Sequence, residues 1–141
     1  MADNQVGILA CSGEECLGGT ISRLATRRVM EKLRPNRAVT LCLPLYIAGG
    51  EEERAFAKKY PVIAVEGCSK HCSTFATEKF SGKVQDIVDI AAILGEDVAL
   101  SKTVSARDLT EKHQDMVKVV SREICAKMDA VFDNGPVAPF K

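Results

Sequence analysis

Residues 61–72 read PVIAVEGCSKHC. The opening run, PVIAV, is short and apolar, as a buried strand is. Behind it stand two cysteines four apart, Cys68 and Cys72, with His71 between them. Ser69 is a helix-capping residue type, and it predicts a helix that runs through Phe75 and Phe80 to Gly82. A buried strand followed at once by a helix is half of a parallel crossover unit, so the fold turns on whether this pattern recurs.

It does. Residues 5–11, QVGILAC, are another short apolar run, stopped by Ser12-Gly13. Over residues 20–33, Ile21, Leu24, Ala25, Val29 and Leu33 recur at helical spacing. Arg23, Arg27, Arg28 and Lys32 take the other face, and Pro35 marks the stop. Residues 38–43, AVTLCL, predict a second strand ended by Pro44. The charged stretch EEERAFAKKY at 51–60 predicts a short helix with acids in its first turn, where the helix dipole favours them. Residues 84–100 fit either a strand and a turn or a helix.

Ser105–Asp108 reads as a capping box for a long helix over about 105–133. Leu109, Met116, Val120, Ile124, Met128 and Val131 are its apolar stripe, and Asn134-Gly135-Pro136 its end. Strand–helix alternation predicts the α/β class: a three-layer, Rossmann-like domain with a mainly parallel central sheet, spanning 1–141 as one unit.

Composition narrows the function. Lys plus Arg equals Asp plus Glu at 19 each, so the formal net charge is zero. Nucleic acid and anionic membranes call for a basic face, and neither is expected as a partner. There is no Trp, which disfavours a base-stacking platform. No apolar stretch approaches the roughly 18 residues of a membrane span. The start, MADNQ, lacks the basic-then-apolar pattern of a secretory leader. The expected location is the cytoplasm. Six cysteines in a chain kept reduced point to metal or thiol chemistry rather than disulfides.

In open α/β sheets, sites form outside the carboxyl ends of the strands. Cys11 closes the first predicted strand, Cys42 lies near the end of the second, Cys68 follows the third, and Cys72 opens the helix behind it. These four thiols are the candidate metal ligands. Cys16 shares the first loop with Cys11 and is a substitute. Zinc suits such thiols, and an iron–sulfur cluster uses the same donors. Cys42, inside an apolar run, fits a core position equally well. Cys125, beside Ile124, reads as core. Glu66 and His71 are candidate supporting groups beside the ligands, His71 reading more as a solvated loop residue.

Several chemistries fail on spacing. A cysteine phosphatase loop needs Arg six places after its Cys; from Cys16 that place holds Ser22, and Arg23 comes one place late. From Cys11 it holds Leu17. Gly13, Gly18 and Gly19 miss the G-x-G-x-x-G of a dinucleotide turn, and suit a tight loop around a ligand or a plain turn. The Cys-x-x-Cys of a thioredoxin is absent. His113 reads as packing or surface on the long helix rather than as a base. The alternative to metal binding is a thiol-dependent enzyme or carrier of sulfur or methyl groups, with Cys16 or Cys72 as nucleophile.

Together, CSG at 11–13, CLPLYIAGG at 42–50 and EGCSKHC at 66–72 resemble the motifs of the DGC-domain family. Its pattern is Cys-Ser-Gly after the first strand, Cys-Leu followed by a glycine pair, and Asp-Gly-Cys-x-x-x-Cys. The likeness is ordered and spans roughly residues 5–80. The resemblance implies zinc held by Cys11, Cys42, Cys68 and Cys72, and a link to corrinoid or one-carbon methyl transfer through a protein partner. This chain departs at Glu66, where the family has Asp.

Overall fold

The computed structural model of the chain describes residues 5–134. In chain order, β1 is Val6–Ala10, α1 Leu17–Arg28, β2 Ala38–Val39, α2 Leu45–Ala48, α3 Glu51–Arg54 and α4 Phe56–Lys59. Then come β3 Val62–Glu66, α5 Cys72–Phe80, β4 Asp86–Asp89, α6 Ile90–Leu94, α7 Glu96–Ala99 and α8 Glu111–Asn134. A π-helical turn, Val29–Leu33, extends α1, and a 3-10 turn, Ala106–Asp108, precedes α8. The four strands run in the order β2-β1-β3-β4, and every pairing is parallel. This is the Rossmann-like α/β arrangement that the alternation predicts.

The period-two alternation of the strands sorts their side chains into two apolar layers. Val6 and Ile8 of β1, Ile63 and Val65 of β3, and Val88 of β4 pack with α1 and α8. Leu9 of β1 and Val62 of β3 face the other way, against Tyr46, Phe56 and Ala57. On α8, Val117, Val120, Ile124, Met128 and Val131 bury a stripe that meets Leu17, Ile21, Ala25 and Val29. Fully burying a side chain of this size stabilises the fold by about 1.5–3 kcal/mol. Among the described residues no helix is long and apolar enough to cross a membrane.

Cys125 lies in this core, 7% exposed, as its place beside Ile124 predicts. Burial pushes its thiol above the ordinary value of 9.0, so folding favours the neutral form. That contribution is intact below pH 9.0 and is lost as pH rises through the raised value. Urea unfolding at a series of alkaline pH values therefore shows a shallower loss of stability in Cys125→Ala than in the native chain. Parallel alkaline limbs would contradict this.

Several boundaries differ from the sequence reading, each for a local reason. The second strand ends at Val39 rather than at 43. It is an edge strand, and past Val39 the Thr40 hydroxyl donates to the Ile8 carbonyl at 2.7 Å in place of a ladder bond. The chain then turns, with Leu45 N donating to Cys42 O and Tyr46 N to Leu43 O. The stretch 51–60 holds two short helices, α3 and α4, instead of one. Residues 84–100 hold a strand, β4, and then α6 and α7.

Ser105 caps the 3-10 turn, accepting from Arg107 N, and α8 begins only at Glu111. The reciprocal cap of α8 is made by Thr110 and His113: Thr110 N donates to His113 Nδ1 at 3.1 Å, and His113 N to Thr110 Oγ1 at 3.4 Å. His113 is thus a capping residue, and Leu109 lies ahead of the helix. Gly135 and Pro136 of the expected helix stop lie outside the described residues.

Candidate functional site

The strand order fixes where a site forms. From β1 the chain crosses to β2 on one side; from β3 it crosses to β4 on the other. β1 and β3 are neighbours, so their connections diverge, and a crevice opens outside their carboxyl ends. The loops over that crevice are 11–16, which carries Cys11 and Cys16, and 67–71, which carries Cys68 just ahead of Cys72 at the start of α5.

The second loop touches the first turn of α1 through glycines. A Cβ on Gly18 would stand 1.9 Å from the Gly67 carbonyl oxygen, and one on Gly67 would stand 2.6 Å from Gly19 N. Gly13 has φ +81, a conformation that favours glycine. These glycines therefore serve backbone-to-backbone contact of the first turn of α1 with Gly67 on one side and Gly13 on the other, a structural use that their sequence spacing left open.

Glu66, the last residue of β3, is 1% exposed. Its carboxylate accepts from Ser73 N at 3.1 Å, Thr74 N at 2.7 Å and Thr74 Oγ1 at 2.6 Å. The first turn of a helix leaves amides without partners and carries the positive end of the helix dipole, and here a buried carboxylate answers both. Ser69, the expected cap, instead donates to Glu96 Oε2 at 3.0 Å. His71 holds the cap position of α5 in the left-handed conformation, with no side-chain cap bond.

A cleft of about 460 Å³ follows, bordered by Cys11, Cys16, Cys68 and Cys72. Cys11 continues β1, its amide bonded to Val65 O at 3.0 Å, and its Sγ lies 3.5 Å from Ser22 Oγ. Burial, with Glu66 and Cys72 nearby, pushes the Cys11 thiol up, which makes it a poor free nucleophile. Cys16 is the cap residue of α1, and its thiol makes no cap hydrogen bond. Cys68 is half-buried, and Cys72, first residue of α5, is exposed. Cys42 is exposed and borders a separate groove, which it shares with Cys11.

His71 does not border the cleft: its Nε2 lies 2.9 Å from Asp89 Oδ2. Asp89 Oδ1 in turn accepts from Ala91 N and Ala92 N at the start of α6. The sequence reading missed Asp89, whose signal was its place as the last residue of a strand on the carboxyl edge.

In donor type the cleft fits zinc, with three thiols from the two loops and a fourth from the start of α5. In placement it is open: among the described residues no group of three or more His, Cys, Asp or Glu side chains is drawn together closely enough to hold an ion.

Fold and cleft define a Rossmann-like parallel α/β protein with a cysteine-bordered crevice at its switch point. Comparison with protein families sharpens this, because the model of the DGC domain matches residues 7–124. The chain belongs to the DGC-domain family. The match runs well past the three motifs, into α8. Searches of curated proteins and of solved structures find no match.

Proposed function

We propose that the chain binds one zinc ion through the thiols of the β1–β3 cleft. The observation that carries this is the shared border: Cys11 and Cys16 of the first loop, Cys68 of the second and Cys72 at the start of α5 line one crevice. Cys11, Cys68 and Cys72 form the common part of the site. The fourth position has two contenders, Cys16 on the cleft itself and Cys42 in the groove beyond Cys11. The cleft favours Cys16; the family motif favours Cys42. Binding draws these thiols onto one ion, so it tightens the two loops and adds to stability. Zinc held by four thiolates is structural, whereas three thiolates leave a position open for a substrate thiol. An accessory role in corrinoid or one-carbon methyl transfer, with a protein partner in the cytoplasm, extends this proposal along the family resemblance.

The test is elemental analysis of the purified full chain. One zinc per chain is expected, lost in Cys11→Ser, Cys68→Ser and Cys72→Ser, and of Cys16→Ser and Cys42→Ser only the variant of the true fourth ligand weakens retention. Metal-free protein with a native melting curve would overturn the reading, and stoichiometric iron with brown colour would replace zinc by a cluster. Alkylation separates the rival thiol enzyme: chelator exposes several thiols together at a metal site, whereas one fast thiol indifferent to chelator marks a nucleophile.

A further inference from the structure

A second concavity, of about 390 Å³, lies on the β2 side of Cys11. This volume is in the range of small-molecule sites, and the groove opens at the same carboxyl edge. Its walls are apolar where Leu41, Leu43 and Pro44 follow the short second strand. Two features of α1 give it a polar end. Arg23 is exposed, and its Nε lies over the first loop, where a Cβ on Gly13 would come within 2.9 Å of it. Among the described residues Arg23 has no hydrogen bond or ion pair, whereas Arg27, one turn on, is held by Glu31. Thr26, also on the groove, is 4% exposed, and its buried hydroxyl has no partner.

A free guanidinium and an unpaired buried hydroxyl beside apolar walls make a site for a single anionic head on an apolar body. The first loop also carries Glu14 and Glu15, and their charge disfavours a doubly charged phosphate. We infer that this groove binds a small aliphatic carboxylic acid, its carboxylate on Arg23 and its chain against Leu41, Leu43 and Pro44. Cys11 and Ser12 border both groove and cleft, so the bound acid lies beside the thiol site. The inference does not rest on the metal reading, and its test needs no metal.

The experiment is an amide NMR titration of the full chain with short straight and branched carboxylates, 4-methylpentanoate among them, and with the matching neutral amides. Saturable shifts are expected at Ser12, Arg23, Thr26 and Leu41–Leu43 with the acids and not with the amides. Arg23→Gln, at an exposed side chain without partners, keeps the native melting curve and weakens binding at least about tenfold. The inference is overturned if no acid gives saturable shifts at millimolar concentration. It is also overturned if amides bind as well as acids, or if Arg23→Gln binds them as the native chain does.

Discussion

Glu66→Ala lowers the melting temperature by roughly 10 °C. The change strands Ser73 N, Thr74 N and Thr74 Oγ1, all of which now meet one carboxylate. An unsatisfied buried donor costs about 1–3 kcal/mol, and removing a desolvated carboxylate returns part of that, so a net loss of about 3 kcal/mol is expected. Glu66→Gln keeps the volume but turns an amide group toward donors, and costs less. Glu66→Asp restores the motif residue of the family on a shorter arm. β3 is held between β1 and β4, with Glu66 in register with Asp89, so the strand cannot follow the shorter side chain, and this variant falls between Gln and the native chain. Differential scanning calorimetry reads all three; a native melting temperature for Glu66→Ala would refute the capping role.

Gly18→Ala sets two effects against each other. Gly18 lies in the first turn of α1, where replacing Gly by Ala favours the helix by up to about 1 kcal/mol. The new Cβ would stand 1.9 Å from the Gly67 carbonyl oxygen. Overpacking costs about 1–3 kcal/mol or more, and here both parties are backbone, so no side-chain rotation relieves it. The clash wins, and we expect a net loss of about 2 kcal/mol together with displaced amide shifts at Cys68 and Cys72. Gly50→Ala is the control, since its Cβ meets nothing closer than Glu53 Oε1 at 4.0 Å. Equal urea midpoints for the two variants would show that the loops do not need the contact.

Much of this fold is legible from residue type and spacing. PVIAV and VGILA are apolar throughout because both faces of an inner parallel strand are covered, and α1 and α8 show their stripes because each buries one side. The edge was harder to read. AVTLCL keeps a strand's composition through Leu43, yet an edge strand has one neighbour, and the Thr40 hydroxyl takes over where the ladder stops. That places Cys42 in an exposed turn, apart from the cleft of Cys11, Cys16, Cys68 and Cys72.

Capping was legible only where it was local. Ser69 and Ser105 have the right residue type, but α5 is capped by Glu66 from the strand before it, and α8 by the Thr110–His113 pair. For the candidate site, strand order determined what spacing alone could not. Cys68 and Cys72 gain Cys11 and Cys16 as neighbours because β1 and β3 lie side by side with diverging connections.

The most direct test of the zinc proposal is a zinc-edge X-ray absorption spectrum of the full chain purified with its metal. The account predicts sulfur neighbours at about 2.3 Å, three or four in number, and no zinc signal from Cys72→Ser. A shell of nitrogen and oxygen only, or a natively folded protein that carries no zinc, would contradict it.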